Sequence, residues 1–281
     1  MADSAPLASL SLTHVYYDPD DRLSLVCAYL ALVPQALCIV YATLVLATRE
    51  AEIALALVGQ LACEALNFAL KRLIKEERPR RIHGKGYGMP SSHAQFVAFW
   101  SVSLALFLLL RHRPRPATTT TTTTTNNNNN ENSAAAAAKA AKAIRSLGLG
   151  SARLDVDGRL HRPWSLPERL AVSLAAAGVA VAVAWSRIYL DYHTPRQVLA
   201  GIGAGVASAL AWFAATAVLR RSGLLAWALD LPLARALRVR DLAIEEDMCQ
   251  AGWEKWEAKR SADAAAAAAV STAGNGKAKT G

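Results

Sequence analysis

Three short polar stretches interrupt a strongly apolar chain, and their side chains are of the types that bind and transfer phosphate. The stretches read KRLIKEERP (71–79), GMPSSHAQF (88–96) and SRIYLDYHTPRQV (186–198). They contain lysine, arginine and serine together with His93 and His193. A guanidinium group matches phosphate oxygens, and histidine can act as a nucleophile or as a proton donor. This composition indicates phosphoryl transfer.

The role expected of each group follows from its chemistry. Lys71, Arg78 and Arg187 supply cations that could stabilise the negative charge of a phosphoryl-transfer transition state. Ser91 and Ser92 immediately precede a predicted helix, whose first N–H groups form an anion site together with a hydroxyl. One histidine could attack phosphorus while the other protonates the leaving oxygen. Because no cluster of Asp, Glu or His has metal-ligand spacing, the sequence predicts no metal and no other cofactor.

The remainder of the sequence predicts membrane helices that position these groups. The chain has 281 residues, 53% of them hydrophobic, and its mean hydropathy of +0.19 is high for a soluble domain. About 20 apolar residues suffice to cross a bilayer. We therefore predict an all-α, polytopic helix bundle with five membrane helices, four or six being the alternatives. The predicted spans are Leu23–Thr48, Ala51–Ile74, Ala94–Leu110, Leu170–Trp185 and Val198–Leu219.

The order of these spans places all three polar stretches on one side of the membrane. The first two stretches lie between the second and third spans, and the third lies between the fourth and fifth. Each pair of crossings returns the chain to the same side, so the three stretches can converge on one site.

Composition also divides the chain outside the predicted spans. Thr118–Thr125 and Asn126–Asn130 form a low-complexity run that cannot bury a core, which predicts a disordered loop. Leu224–Leu237 is apolar but contains Asp230 and Pro232, which favours an interfacial segment. The predicted organisation is an N-terminal tail (1–22), a first part of the membrane domain (23–110), a disordered loop (111–167), a second part of the membrane domain (168–221), and a C-terminal interfacial segment with a disordered tail (222–281).

The formal charge of +9 comes from bases scattered at helix ends, so the sequence predicts membrane flanking charge and no nucleic-acid partner. Bases outside the polar stretches gather on the opposite side of the membrane, which the positive-inside rule assigns to the cytosol together with the C-terminus. Lys277 and Lys279 are similar to a dilysine signal that coat proteins recognise on cytosolic tails. The bases counted on this side are Arg111, Arg113, Arg115, Lys139, Lys142, Arg145, Arg220 and Arg221.

The polar stretches resemble the three signature motifs of the type 2 phosphatidic acid phosphatase (PAP2) superfamily. That superfamily includes lipid phosphatases, bacterial acid phosphatases and vanadium haloperoxidases. The similarity extends from about Glu64 to Gly205, apart from the Thr/Asn loop. The residues that carry it are Lys71-x6-Arg78-Pro79, Pro90-Ser91-Ser92-His93 and Ser186-Arg187-x5-His193.

The resemblance implies a role for each histidine. His193 would be the nucleophile that takes the terminal phosphoryl group, and His93 the general acid for the leaving group. It further implies that phosphate oxygens are bound by Lys71, Arg78, Arg187, Ser91 and the backbone around Ser92.

Gln197 departs from the superfamily pattern, which has an aspartate there to orient the nucleophilic histidine. A glutamine carbonyl can still accept a hydrogen bond from His193 Nδ1–H, but it brings no negative charge. Asp191 is the rival orienter, although its position two residues before His193 makes the geometry less suitable.

Two variants narrow the resemblance to one branch of the superfamily. The second motif has Pro-Ser-Ser-His in place of the usual Pro-Ser-Gly-His, and Gln197 replaces aspartate. Both variants resemble the branch that hydrolyses dolichyl diphosphate to dolichyl phosphate through a phosphohistidine. The resemblance thus implies a membrane enzyme that recycles the lipid carrier for protein N-glycosylation at the endoplasmic reticulum, with its site facing the lumen. The alternatives are a phosphatase for another lipid phosphate or isoprenyl diphosphate, and a non-catalytic headgroup binder or transporter.

Polar and small residues inside the spans predict helix contacts. Gln60, Glu64, Asn67 and Lys71 recur on one helical face, which indicates either support for Lys71 or interhelical hydrogen bonding, with the second favoured. Two further groups are expected to serve packing: the glycines Gly201, Gly203 and Gly205, and the cysteines Cys27, Cys38 and Cys63.

Overall fold

Five helices long and apolar enough to cross a membrane dominate the part of the chain that the structure, a computed structural model, describes. The predicted all-α bundle with five membrane helices is therefore confirmed. The spans are Arg22–Thr48, Ala51–Ile74, Ser92–Arg111, Leu166–Tyr189 and Pro195–Arg221. The described residues are 8–10, 15–79, 86–113, 153–154, 160–161, 164–247, 249, 252–253 and 255–263.

Two short antiparallel hairpins, β1–β2 and β3–β4, accompany the helices. In chain order the elements are β1 (Ala8–Leu10), β2 (Val15–Tyr17), α1 (Arg22–Leu30), α2 (Val33–Thr48), α3 (Ala51–Ile74), α4 (Ser92–Leu106, continued by a π-helical turn over Phe107–Arg111), β3 (Arg153–Leu154), β4 (Leu160–His161), α5 (Leu166–Tyr189), α6 (Pro195–Arg221), α7 (Leu224–Asp230) and α8 (Pro232–Ala236).

The chain forms two units, of which the first, residues 1–112 and 164–241, contains all the membrane spans. The second unit comprises residues 113–163 and 242–281 and contains β3, β4 and a helical segment at 255–263. In that unit the rings of Trp253 and Trp256 pack with centroids 4.8 Å apart. The Thr/Asn run at 118–130, the bases Arg115, Lys139, Lys142 and Arg145, and Lys277 and Lys279 lie outside the described residues, so what was inferred from them stays a prediction.

The first predicted span is two helices rather than one. α1 ends at Leu30 and α2 begins at Val33, with Pro34 in its first turn. Proline has no N–H to donate and its ring clashes with the carbonyl four residues earlier, so a continuous helix is disfavoured here. The break exposes the backbone carbonyl of Ala31 to a side chain from another helix.

Three of the other spans extend beyond the predicted limits because polar caps belong to the helices. Ser165 begins α5 with a capping box to Glu168, and Thr194 begins α6 with a capping box to Gln197. Each pair satisfies backbone N–H groups in the first turn. Ser91 precedes the first residue of α4. Hydropathy alone missed these turns because their residues are polar.

α4 lies at the centre of the bundle and packs against α3, α5 and α6. Phe96 and Val97 meet Val183 of α5, and Phe99 meets Cys63 of α3. All four cysteines are free thiols; Cys27 and Cys63 are buried and Cys38 is half-buried, which agrees with the packing role predicted for the three within the spans.

Large apolar side chains on the outer faces of the helices remain exposed. Leu46, Leu73 and Leu174 are 77%, 78% and 70% exposed, as expected for side chains that face lipid. In the predicted interfacial segment, Trp227 and Leu233 are also exposed. α7 and α8 meet at Leu231, where Pro232 begins the second helix.

Candidate active site

The three motifs meet at one end of the bundle, where helices begin or end. Lys71 lies in the last turn of α3 and Arg187 in the last turn of α5. Ser91 is the N-cap of α4, and Gln197 lies in the first turn of α6. His193 occupies the connection between α5 and α6. Helix ends thus bring together residues separated by more than a hundred positions in the sequence.

Arg187 is a buried cation with free donor capacity. Its side chain is only 2% exposed, and its guanidinium carbon lies 4.2 Å from the centroid of the Tyr192 ring. Among the described residues, none accepts a hydrogen bond from Nε or Nη1. Burying an uncompensated charge costs several kcal/mol. The arrangement therefore favours an anionic ligand that completes it.

Ser91 provides a second unsatisfied group. A serine at an N-cap normally accepts a hydrogen bond from the first helical turn, but Ser91 makes no such bond. Its hydroxyl is fully buried and has no partner among the described residues. The backbone N–H of Ser91 donates to the backbone carbonyl of Gln197 at 3.1 Å. The hydroxyl, together with the N–H of Ser92 at the start of α4, is positioned to bind an anion.

His193 is held in one tautomer by Gln197. Nδ1 lies 3.2 Å from Gln197 Oε1, and the imidazole is 3% exposed. The amide orientation is fixed because Gln197 Nε2 donates to Glu76 Oε1 and to the Glu77 carbonyl, both at 2.9 Å. Oε1 is therefore an acceptor, so Nδ1 must carry the proton and Nε2 has a lone pair. Asp191 is exposed, with φ of 56° in the preceding turn.

The surroundings of His193 keep it neutral. Burial lowers its pKa most, and the positive charges of Arg78, Arg187 and Lys71 lower it further, against the opposing hydrogen bond to Gln197, to about 3. Burial also lowers the pKa of Arg78. A neutral imidazole at physiological pH retains the Nε2 lone pair that nucleophilic attack requires.

His93 lies at the start of α4 and interacts with the break in the first span. Its Nε2 is 3.1 Å from the Ala31 carbonyl oxygen. A carbonyl only accepts, so Nε2 carries a proton and Nδ1 is the nitrogen left for proton exchange. Electrostatic interactions link His93 to Arg187, His193 and Lys71.

The polar stripe on α3 serves mainly to join helices. Asn67 Nδ2 donates to Gln95 Oε1 at 2.7 Å, and Gln95 Nε2 donates to the Cys63 carbonyl at 2.9 Å. Gln60 Nε2 is 3.5 Å from the Phe96 carbonyl. This network supports the packing interpretation for Gln60 and Asn67. Glu64 differs, because its half-buried carboxylate interacts electrostatically with Lys71.

Sequence reasoning missed three residues around the site: Gln95, Tyr192 and Glu76. Gln95 lies three residues after Ser92 in the second motif, where a buried polar side chain could have been expected to bridge helices. Tyr192 directly precedes His193. Glu76 lies in the first motif, but nothing in the sequence indicated its contact with Gln197.

Two of the three glycines in α6 permit close packing, and the third does not. A Cβ at Gly201 would lie 2.6 Å from the Ser91 carbonyl oxygen. Gly205 likewise abuts the Gln95 carbonyl oxygen of α4. A Cβ at Gly203 would meet no atom within 4 Å. The prediction that Gly203 serves packing is therefore wrong, because its position faces away from α4.

A membrane helix bundle with one buried and two half-buried cations, a helix N-terminus and two histidines at one end has the composition expected of a phosphate-binding membrane protein. In the described part of the chain, no group of three or more His, Cys, Asp or Glu side chains could hold a metal ion. The model of the PAP2 superfamily matches residues 52–221. The chain belongs to the PAP2 superfamily.

Relatives of the chain carry a consistent name. A Neurospora crassa protein, provisionally named dolichyldiphosphatase, is 63% identical over 92% of this chain and 95% of its own length. Dolichyldiphosphatase 1 of Homo sapiens is 35% identical over 73% of this chain and 69% of its own length. Dolichyldiphosphatase of Saccharomyces cerevisiae is 27% identical over 82% of this chain and 79% of its own length. No solved structure matches the chain at a significant level.

Proposed function

We propose that this protein hydrolyses dolichyl diphosphate to dolichyl phosphate and inorganic phosphate. The observation that carries the proposal is the buried guanidinium of Arg187, with unsatisfied N–H groups beside a neutral His193. This cation suits an anion such as a phosphate, and the names of the relatives support dolichyl diphosphate as the lipid that bears it.

In the proposed mechanism, His193 Nε2 attacks the terminal phosphorus of the substrate. The Nε2–P bond forms as the bridging P–O bond breaks. In this step His93 is the imidazolium, with protons on both ring nitrogens, and its Nδ1–H protonates the leaving dolichyl phosphate. Water then attacks the phosphohistidine while His93 accepts a proton from it. Inorganic phosphate leaves, and both histidines return to their starting states.

Cations and donors around the transferred group stabilise its charge in the transition state. Lys71, Arg78 and Arg187 are assigned to its oxygens, with the Ser91 hydroxyl and the Ser92 N–H completing the set. Such donors accelerate the reaction because they are held in place before charge develops. Gln197 orients His193 in this scheme.

The catalytic membrane domain is proposed to consist of residues 23–110 and 168–221. Because the motifs lie at helix ends, a diphosphate at the membrane surface could reach them while its lipid chain stays in the bilayer. On the charge distribution, the site faces the lumen of the endoplasmic reticulum and the C-terminus faces the cytosol. The product would re-enter the supply of lipid carrier for N-glycosylation.

Phosphate release by the purified chain from dolichyl diphosphate, measured with EDTA present, tests this proposal. We expect activity to persist in EDTA, because the cations are assigned the role that Mg²⁺ would otherwise have. Substrate labelled with ³²P in its terminal phosphate should label the protein, and His193→Ala should abolish both labelling and hydrolysis.

The alternatives give different results in the same assay. Faster release from phosphatidate or another isoprenyl diphosphate would replace the substrate assignment while leaving the mechanism intact. A headgroup binder or transporter would bind dolichyl diphosphate without releasing phosphate, and His193→Ala would leave that binding unchanged.

A further inference from the structure

We propose that Glu76 is a positioning residue that supplies, through the Gln197 amide, the negative charge that a carboxylate at position 197 would have provided to His193. This inference rests on the proposed function, because it assigns a part in that reaction to a residue outside the recognised motif positions. The side chain of Glu76 hydrogen-bonds the Gln197 amide, through which it is proposed to act.

The three side chains form a continuous hydrogen-bonded chain. His193 Nδ1–H donates to Gln197 Oε1 at 3.2 Å, and Gln197 Nε2 donates to Glu76 Oε1 at 2.9 Å. Every donor faces an acceptor, and the chain ends on a carboxylate. Gln197 is fully buried and Glu76 is half-buried, so the bonds are largely shielded from water.

The surrounding backbone holds the amide in this orientation. The Glu77 carbonyl accepts a second bond from Gln197 Nε2 at 2.9 Å, and Thr194 N–H donates to Oε1 at 3.3 Å. On the other side, a Cβ at Gly88 would lie 2.7 Å from Oε1, so only glycine leaves room for the amide. Gly88 N–H in turn donates to the Glu76 carbonyl at 2.7 Å.

This chain matters when His193 becomes positive. As Nε2 bonds to phosphorus, the imidazole acquires positive charge and its Nδ1–H becomes a stronger donor. A carboxylate that accepts from the amide polarises it, so the amide oxygen becomes a better acceptor. The other charged groups around His193, namely Lys71, Arg78 and Arg187, are cationic and oppose that charge.

Glu76→Gln removes the charge but keeps the size and an acceptor oxygen, so it is the primary variant. On dolichyl diphosphate we expect kcat to fall roughly tenfold to a hundredfold with KM nearly unchanged, because the effect grows with charge in the transition state. Asp20→Asn removes a carboxylate charge at an exposed position that does not contact Gln197 and serves as the control, with an expected loss under threefold.

An exchange of the two side chains tests whether the charge acts through Gln197. Gln197→Glu alone sets two carboxylates against each other and should lower kcat. Glu76→Gln combined with Gln197→Glu restores one carboxylate and one amide in the reverse order. This double variant should exceed the activity of both single variants by about tenfold or more. No recovery beyond the better single variant would overturn the proposal.

Two further outcomes also overturn the proposal. The first is a kcat for Glu76→Gln within twofold of the wild-type value. The second is an equal loss of kcat in Glu76→Gln and Asp20→Asn, which would indicate a general electrostatic effect.

Histidine NMR on ¹⁵N-labelled protein separates failure of the relay from failure of the proposed function. If Glu76 polarises Gln197, the Nδ1–H proton resonance of His193 moves upfield in Glu76→Gln and returns in the double variant, whatever lipid the protein hydrolyses. An unchanged resonance would refute the relay even in an active phosphatase. A shifted resonance without hydrolysis of dolichyl diphosphate would refute the proposed function alone.

Discussion

At one end of the bundle, the guanidinium of Arg187 is buried with two of its nitrogens unsatisfied. At the other end, Arg111 Nη1 lies 2.7 Å from Glu52 Oε1, and Arg111 Nη2 lies 2.8 Å from Thr216 Oγ1. Arg220 pairs there with the same Glu52 carboxylate and with Asp241. Both arginines at the second end therefore have carboxylate partners, although Arg220 Nε is buried without a hydrogen bond, whereas no carboxylate among the described residues pairs with Arg187.

This difference in carboxylate partners indicates that the arginines at one end stabilise the fold and that Arg187 binds a ligand. A partly buried arginine with its carboxylate in place holds helices together, and removing one partner strands a charge. A buried arginine without a carboxylate lowers the stability of the empty protein and gains its partner only when an anion binds. We expect a substitution of Arg187 to lower activity without lowering stability, and a substitution at the other end to lower stability with little effect on activity.

Arg187→Gln should have the largest effect. We expect kcat/KM on dolichyl diphosphate to fall about 10⁴-fold, as when other arginines that stabilise transferring phosphoryl groups are removed. The melting temperature of the empty protein should stay equal or rise. Vanadate, a phosphate mimic, should raise the melting temperature of the wild type but not of the variant. A large drop in the melting temperature of the variant would contradict the contrast.

Arg111→Met should do the reverse at the opposite end. The free energy of unfolding should fall by about 1–3 kcal/mol, because Glu52 loses one of its two cations but keeps Arg220, and Thr216 loses a hydrogen bond. At a temperature where the variant stays folded, kcat/KM should remain within threefold of the wild type. Arg235→Met is the control: its ion pair with Asp230 is exposed, so we expect less than about 1 kcal/mol.

Gly201→Ala tests whether the site end depends on close packing of α4 and α6. The new Cβ would meet the Ser91 carbonyl oxygen at 2.6 Å, which costs about 1–3 kcal/mol if the helices must separate. Since Ser91 belongs to the candidate site, kcat should fall as well. Gly203→Ala has open space and should be neutral or slightly stabilising. Equal melting temperatures for the two variants would contradict this packing.

The smallest expected effect concerns protonation of His193. Its pKa is about 3 in the folded protein against an ordinary 6.5. Between these values the unfolded chain binds a proton that the folded chain does not, so stability falls as pH falls below 6.5. His193→Gln should therefore reduce the loss of melting temperature between pH 7 and pH 5. Histidine NMR should show His193 still neutral at pH 5, and titration near 6.5 would refute the prediction.

The helix bundle and the convergence of the motifs could be predicted because both depend on local sequence patterns. A membrane span needs only a run of apolar residues. Two loops lie on the same side of the membrane when an even number of spans separates them. The third motif also carried a local signal that went unused: Thr194-Pro195-Arg196-Gln197 has the spacing of a capping box. That signal predicts where α6 begins and why position 197 suits glutamine.

Contacts between distant segments could not be predicted in the same way. Glu76 reaches Gln197 because α3 ends at Ile74 and the next residue, Lys75, is left-handed with φ of 55°, which turns the chain out of the helix just before Glu76. Gly201 and Gly203 look alike in the sequence. They differ in which side of α6 they occupy, since Gly201 faces α4 and Gly203 does not. Such directions depend on how helices rotate against one another, which one sequence does not specify.

The break between α1 and α2 shows that the candidate site includes residues outside the region that matches the superfamily. The family similarity begins at residue 52, yet the acceptor for His93 Nε2 is the carbonyl of Ala31, and the Tyr192 hydroxyl accepts from Tyr16 N–H at 2.8 Å. A fragment limited to residues 52–221 would lack both contacts. The segment from β2 to the break between α1 and α2 is thus part of the candidate site, and exchanging it with that of a relative should alter proton transfer by His93 as well as membrane anchoring.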